Sequence, residues 1–529
     1  MRHILSKLVT VFLAACFTAS PVQAKWYEAS SDHFVIYAEQ REKDVRRFAE
    51  NLERYHAALV YMRKFGDKPP PSKSNRVTIF VTDSRRDVSK LAGDKSGSVA
   101  GFYVPRAGGS VAFTPPVRNT NSKLPDFTQI VLLHEYAHHY MISNLPIALP
   151  RWYTEGFAEF FGTTTFSKDG SVGLGKPATH RAGELGQLRR VPWKLLLDSR
   201  AYAARKNKKS NSFYGQSWAI FHYLQVTPEG RKMHNDYLAR LIKGESEIEA
   251  AEGAFGDIKE FGKKIDKYLR RTAFKFFPIS AEKVKIGEIK LRELSVGEAK
   301  VMPLRMRSKR GVNEEQAAKL VVEARKVAAK YPGDAAVYSV LAEAEFDAGN
   351  DNAAITAADK ALALNPKHIN ALLQKGYALF RKAGDNDESG DEPGKAWATV
   401  RKHFLSINKV ETNHPIPLIY FYRTYLEQGR EPTENAKNAL DWALQLAPFD
   451  KGLRFMVAQQ DMNDGRYSEA RFRLLPLAYD PHRSGTEEGP VFAMLREAEI
   501  KLGMRKEEAS DEGDATEDTA TPEAASQAG

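Results

Sequence analysis

The chain has 529 residues, enough for two or three hydrophobic cores, and its apolar fraction of 42% is near that of globular proteins. The formal net charge is +11. Its lysines and arginines are scattered through amphipathic segments and form no stripe with aromatic residues between them, a pattern typical of solvated helix faces. We therefore expect no nucleic-acid partner.

The first 24 residues have the features of a secretory signal. Arg2 and Lys7 precede an apolar run over residues 8–17, and residues 22–24 form a small-x-small cleavage site before Lys25. A second interpretation is a lipoprotein box at residues 13–16, which would leave Cys16 as a lipidated N-terminus. We expect export to a bacterial periplasm or to the cell exterior, with anchoring through Cys16 as the minority alternative.

Cys16 is the single cysteine of the sequence. Cleavage after Ala24 would leave none, which excludes a disulfide framework, a thiol nucleophile and a cysteine-ligated metal site. No later segment is apolar enough to cross a membrane, so no transmembrane span is expected.

Residues 25–273 combine strand-like and helical patterns and predict an α+β domain. The predicted elements are strands at 33–37, 77–81 and 110–113, a helix at 42–62, and largely helical structure from 125 to 271. Short β-branched runs at 284–286 and 289–291 then predict a small β connector over residues 274–310.

Residues 311–503 are predicted to be all-helical, with a weak internal repeat. Pro332 and Pro366 are 34 positions apart, and Ala354, Ala358 and Ala361 provide small residues where two helices would cross closely. This unit resembles the tetratricopeptide repeat, and the alternative is a generic helical bundle with alanine-rich contacts. The acidic segment 385–392 stretches the middle unit, and residues 504–529 predict a disordered acidic tail.

A candidate metal motif lies on the predicted helix that begins after Asp126. His134 and His138 are four positions apart, so both imidazoles share one helix face and can bind one zinc ion. Glu135 is rotated away from the ion but can reach a water in an open coordination position. The alternative is a solvated helix with two unrelated histidines.

A third ligand is expected from the next helix. Prolines at 146 and 150 end the first helix, and a second one begins near Trp152 and carries Glu155. An antiparallel return would bring Glu155 beside the two histidines. Two histidines and one glutamate leave a fourth position for water. Glu159, one turn on, is a candidate outer partner and the fallback ligand.

The sequence from His134 to His138, followed by Trp152 to Ala158, resembles the gluzincin metallopeptidase pattern. It is most similar to the bacterial peptidase MA-like branch, over residues 30–270. The resemblance implies a thermolysin-like catalytic domain with His134, His138 and Glu155 as zinc ligands and Glu135 as the general base. Tyr214 lies where the aminopeptidase branch supplies a hydroxyl to the oxyanion; the alternative role is a buried aromatic residue that caps a helix.

One segment departs from that family. The strand of aminopeptidases that holds the substrate's free amine carries a glutamate, whereas residues 108–115 here contain no carboxylate. This departure argues against aminopeptidase activity. The strand could still pair with an extended peptide through its edge.

Together these features predict an exported zinc metallopeptidase that hydrolyses peptide bonds, with a repeat domain that docks a protein or peptide partner. The alternative is an envelope binding or assembly protein whose peptidase-like domain is inactive and whose repeats carry the function. An intact Glu135 favours the enzyme, because a scaffold has no chemical need for a base beside the ligands.

Overall fold

The computed structural model describes residues 25–63, 69–117, 125–145, 147–205, 210–389, 393–480 and 488–506. The predicted signal, the lipoprotein box at Cys16, part of the acidic segment 385–392 and the tail beyond residue 506 lie outside the described residues. A mixed α+β region extends to residue 293, and the rest is helical. None of the described helices has the length and apolar composition that crossing a bilayer requires.

The main sheet has six strands in the order β4-β5-β3-β2-β1-β9. Strand β2 pairs in parallel with β3, as does β3 with β5, and the other pairs are antiparallel. The strands are β1 Lys25–Ser30, β2 Phe34–Gln40, β3 Val77–Val81, β4 Phe102–Val104, β5 Val111–Thr114 and β9 Lys290–Glu293.

Both faces of this sheet are covered because its central strands carry apolar residues at successive positions. One face, with Phe34 and Ile36, packs in the core of the α+β region. The other face, with Phe80 and Phe113, forms a second cluster that includes methionines 302 and 306. The predicted strand at 77–81 is confirmed residue for residue, and the helix predicted at 42–62 spans Glu42–Arg63.

A smaller antiparallel sheet in the order β6-β7-β8 and a layer of helices complete the α+β region. Its strands are β6 Thr165–Phe166, β7 Val172–Leu174 and β8 Phe277–Ile279. The helices are α1 Glu42–Arg63, α2 Arg85–Ala92, α3 Phe127–Asn144, α4 Arg151–Gly162, α5 Ala182–Gln187, α6 Trp193–Leu196, α7 Ser199–Ala204, α8 Phe213–Val226, α9 Pro228–Ile242, α10 Glu247–Phe255 and α11 Ile258–Leu269.

Two expectations about strands are corrected. The predicted run at 284–286 is not a strand, and the strands within 274–310 join existing sheets: β9 pairs with β1 and β8 with β7. The expected peptide-binding strand β5 lies between β3 and β4, so its backbone groups already pair on both sides, and β4 forms that edge of the sheet. The predicted edge pairing therefore cannot occur at 110–113.

After α12 (Val296–Arg310), which packs on both the sheet and the repeats, the helices stack in chain order as a helical repeat. Ala354, Ala358 and Ala361 are fully buried where the helices meet, as predicted for close crossings. The remaining helices are α13 Glu314–Lys330, α14 Ala335–Asp347, α15 Asp351–Leu364, α16 Ile369–Ser389, α17 Pro393–Val410, α18 Pro415–Leu426, α19 Glu434–Leu446, α20 Lys451–Asn463, α21 Tyr467–Ala478 and α22 Pro490–Lys501.

Candidate metal centre

Helix α3 presents both candidate histidines on one face. Its N-terminus is capped by the Asp126 carboxylate, which accepts a hydrogen bond from the Thr128 amide at 2.9 Å. The four-residue spacing then places His134 and His138 side by side, with their Nε2 atoms 3.2 Å apart. His138 is only 6% exposed, so the pair faces the interior rather than solvent.

Helix α4 runs antiparallel to α3 and brings the predicted third residue to the same point. All its residues from Trp152 to Gly162 are buried between α3 and α8. Gly156 permits this packing, because a Cβ there would lie 2.5 Å from the Ser217 carbonyl oxygen of α8. The Glu155 carboxylate is consequently buried, and its Oε2 atom lies 3.5 Å from Nε2 of both histidines.

The three donor atoms form a nearly equilateral triangle with sides of 3.2, 3.5 and 3.5 Å. Zinc bonds of about 2.0–2.1 Å in a tetrahedron place neighbouring donors about 3.3–3.4 Å apart. The separations of these donor atoms, from His134, His138 and Glu155, therefore match those expected at three corners of a tetrahedral zinc site. Within the described part of the chain, no second group of His, Cys, Asp and Glu residues converges in this way.

Glu159, the fallback ligand, contacts the opposite nitrogen of the first histidine. Its Oε1 atom lies 3.3 Å from Nδ1 of His134, whereas Glu155 faces Nε2. A carboxylate on Nδ1 fixes the tautomer that leaves Nε2 available to a metal. The carboxylate of Glu159 also binds Nε2 of His180 at 2.9 Å and the guanidinium of Arg181 at 2.5 Å. Glu159 thus lies on the side of His134 away from the donor triangle, the position expected of an outer partner.

The electrostatics of the cluster follow from these contacts. Burial lowers the pKa of His134, but hydrogen bonds to Glu155 and Glu159 outweigh burial and raise the pKa to about 10. Burial likewise opposes ionisation of the two carboxyls, and their histidine partners nevertheless hold the pKa of each below its ordinary value. In the metal-free cluster the two ionised carboxylates are therefore balanced by the charges of His134 and Arg181, and a divalent cation would take the place of the proton on His134.

Glu135 lies on α3 beside the ligands and is partly exposed. Burial, and then the nearby charge of Glu135, raise the pKa of Tyr103 on β4. The hydroxyl of Tyr103 lies 2.5 Å from Nδ1 of His139, and burial lowers the pKa of that histidine to about 3. His139 is thus a neutral histidine whose ring is held by Tyr103 beside Glu135.

Tyr214 lies in the first turn of α8 and is half-buried. The charge of Glu155, and then burial, raise its pKa to about 12, so the phenol keeps its proton at neutral pH. The guanidinium of Arg181 stacks on the Tyr214 ring at 4.8 Å. Tyr214 is therefore a neutral hydrogen-bond donor within electrostatic range of Glu155, one of the three candidate ligands.

Arg181 and His180 were given no role at the site by the sequence patterns. Both lie on the turn before α5, and both bind the Glu159 carboxylate. Their positions have no periodic relation to the motif, so only the fold brings them to it. Arg181 links the outer carboxylate to Tyr214 across the site.

A family model described as "Protein of unknown function (DUF1570)" matches residues 132–243, a segment that contains the three candidate ligands, Glu135 and Tyr214. No curated protein sequence matches the chain.

Solved structures similar to the chain include a thermophilic tetratricopeptide-repeat protein of Thermus thermophilus, with 15% identity, 39% of this chain and 99% of that chain covered, and a TM-score of 0.31. MamA from Desulfovibrio magneticus has 16% identity, coverage of 33% and 90%, and a TM-score of 0.26. A tetratricopeptide repeat protein from Parabacteroides merdae has 10% identity, coverage of 51% and 99%, and a TM-score of 0.21. The helical repeat assigned to this chain rests on the packing of its own helices.

Proposed function

We propose that the chain is an exported zinc metallopeptidase of the gluzincin type that hydrolyses peptide bonds. The observation that supports this proposal most strongly is the donor triangle of His134, His138 and Glu155, whose sides of 3.2 to 3.5 Å match a tetrahedral zinc site. An acid that is not needed as a ligand, Glu135, stands one position from the first histidine. This set is the one that metal-assisted hydrolysis requires.

Three residues of the chain would bind the metal, and two others fix the orientation of one of these ligands. His134, His138 and Glu155 would bind zinc, which when present supplies Lewis-acid polarisation of a carbonyl and increases the acidity of water. Glu159 holds the ring of His134 through Nδ1, and Arg181 in turn holds Glu159. Such outer contacts fix the direction of the ligand atoms.

Two further residues would transfer or donate protons during the reaction. Glu135 accepts a proton from the attacking water and delivers it to the leaving amine, a role for which its partly exposed carboxylate is accessible. Tyr214 keeps its proton because its pKa is about 12, so its hydroxyl can donate to the oxyanion that forms at the scissile carbonyl.

The decisive experiment replaces Glu135 by Gln. The amide keeps the shape and the hydrogen-bonding capacity of the side chain but cannot accept the proton, so zinc content and melting temperature should match wild type while peptide cleavage is lost. The substrate is a mixed library of unstructured peptides, read by mass spectrometry. Cleavage by the variant at the wild-type rate would exclude the proposed base.

Protein docking on the repeats is a second proposed role. Trp442 on α19 and Phe472 on α21 are 44% and 45% exposed, and large aromatic residues on a surface are typical of interaction sites. If wild type holds zinc but cuts no peptide, the alternative of an inactive envelope binding protein takes precedence. Pull-down with Trp442→Ala as the control would then identify whether the repeats bind a partner.

Export is proposed through the predicted signal at residues 1–24. The intact mass of the exported protein should begin at Lys25. A diacylated species beginning at Cys16 would instead indicate the lipoprotein alternative.

A further inference from the structure

The repeat region contacts the α+β region close to the proposed base. The ring of Phe449, in the turn before α20, packs on the ring of His139 with centroids 4.5 Å apart. His139 follows Glu135 by one helical turn on α3, so these two side chains share a face. In the same turn, the Asp450 carboxylate accepts a hydrogen bond from the Ala107 amide at 2.7 Å. A repeat turn therefore closes one side of the space beside Glu135.

The repeat region also contacts α7, a short helix that packs beside α4 and α8. At the end of α21, the Tyr479 hydroxyl accepts a hydrogen bond from Arg200, whose guanidinium stacks on the Tyr479 ring at 5.3 Å. Arg200 lies on α7, a short helix whose own first residue, Ser199, accepts a hydrogen bond from the Arg151 amide at 2.7 Å. Arg151 is the first residue of α4, which carries Glu155.

Helix α7 also packs against α8, the helix that carries Tyr214. The ring of Tyr202 packs against that of Phe213 with centroids 4.3 Å apart, and Phe213 immediately precedes Tyr214. A displacement of α7 would therefore be transmitted to the first turns of both α4 and α8. The Tyr479 contact thus reaches the helical side of the site, whereas the Phe449 contact reaches the side formed by β4 and α3.

A third contact fixes the repeats to the sheet. The amide and the hydroxyl of Ser74 both donate to the Glu411 carboxylate at 2.8 Å. Glu411 follows α17, so successive repeat helices contact the α+β region at separate points. Contacts at several separate points differ from a single domain contact, because together they limit how far the repeat region can move relative to the α+β region.

We propose that the repeat region forms a wall of the substrate cleft and restricts access to a single extended peptide chain. The inference rests on the proposed peptidase function and adds its substrate class: unfolded chains and short peptides are accepted, and segments flanked by folded domains are excluded. Phe449 forms the part of this wall beside Glu135, and the contacts of Tyr479 with Arg200 and of Glu411 with Ser74 hold the wall in place.

The test compares two substrates that contain one cleavable sequence. The first is a short internally quenched peptide, and the second is the same peptide joined at both ends to folded carrier proteins. The variant is Arg200→Ala/Glu411→Ala, which removes contacts at residues that are not fully buried. The matched control is Arg231→Ala, an exposed arginine on α9 whose side chain donates to the Gln225 carbonyl.

Wild type and the control should cleave the short peptide and cut the carrier-flanked one slowly. The double variant should raise the relative rate on the flanked substrate about tenfold, the effect expected when contacts worth about 1.4 kcal/mol are lost. An unchanged ratio, with cleavage of the short peptide intact, would overturn the inference while leaving the proposed function in place.

A second measurement requires no catalysis. The variant Arg200→Cys/Tyr479→Cys, in the mature chain, has no other cysteine if the signal is removed after Ala24. A short bismaleimide should link the two positions within one chain, and the linked protein should cleave only the short peptide. Absence of the link in the folded, zinc-loaded protein would overturn the inference. If the wild-type protein, which carries no cross-link, cleaves neither substrate, that result would count against the proposed function instead.

Discussion

Replacement of Glu159 by Gln tests whether the outer carboxylate orients His134. Glu159 is fully buried, and its Oε1 atom lies 3.3 Å from Nδ1 of His134 and 2.5 Å from the Arg181 guanidinium. The amide preserves the size of the side chain but removes the charge that supports the imidazole. Loss of such a partner lowers metal affinity about 10- to 100-fold, or about 1.4–2.7 kcal/mol.

The assay is a competition titration against a chromogenic zinc chelator at fixed pH and salt. Glu184→Gln is the matched control, because Glu184 also pairs with Arg181, at 3.3 Å, while its other oxygen accepts a hydrogen bond from the Gly215 amide. The control should bind zinc as wild type does, and Glu155→Gln should lose affinity by far more than Glu159→Gln. Wild-type affinity in Glu159→Gln would refute the orienting role. A loss as large as that of Glu155→Gln would make Glu159 a ligand.

Three further predictions concern catalysis, packing and pH. Tyr214→Phe should keep its zinc and lose about 10²- to 10³-fold in rate, the scale of one oxyanion donor, and an unchanged rate would exclude that role. Gly156→Ala should lower the free energy of unfolding in urea by about 1–3 kcal/mol, because its Cβ would lie 2.5 Å from the Ser217 carbonyl oxygen; an unchanged midpoint contradicts that packing. Burial raises the pKa of Glu247 from 4.5 to about 7, so the native state favours the protonated acid and wild type loses stability as pH rises through this interval. The free energy of unfolding of Glu247→Gln, relative to that of wild type, should therefore rise by up to about 3 kcal/mol between pH 5 and pH 8. A difference in melting temperature between the two proteins that stays constant over this range would contradict the pKa shift.

Local patterns were sufficient to predict that His134, His138 and Glu155 lie together. The four-residue spacing of His134 and His138 requires only helical geometry, and the prolines that follow dictate the turn that returns Glu155. The sequence could not show which of Glu155 and Glu159 lies beside both histidines, because the two glutamates are on one face of α4. Glu155 faces Nε2 of both histidines, whereas Glu159 faces Nδ1 of His134, and that difference depends on how α4 packs on α3 and α8.

Contacts between segments that are far apart in the sequence could not be predicted from local patterns. The run at 289–291 predicted a strand, but nothing in it indicates that its partner is β1, at the start of the region. Arg181 reaches Glu159 because a turn between β7 and α5 passes over α4. The contact of Phe449 with His139 likewise arises from the packing of whole regions. Such pairings are determined by the global fold, so hydrophobic periodicity and helix signals do not specify them.

The most direct test of the metal centre is the zinc content of the purified mature protein, measured by elemental analysis after excess metal is removed. One zinc per chain is expected in wild type and in Glu135→Gln, because that residue does not bind the ion. His138→Ala and Glu155→Ala should each retain almost none, since a site with three protein ligands loses most of its affinity with one of them. A wild-type chain that holds no zinc, or a Glu155→Ala variant that holds as much as wild type, would contradict the proposed site.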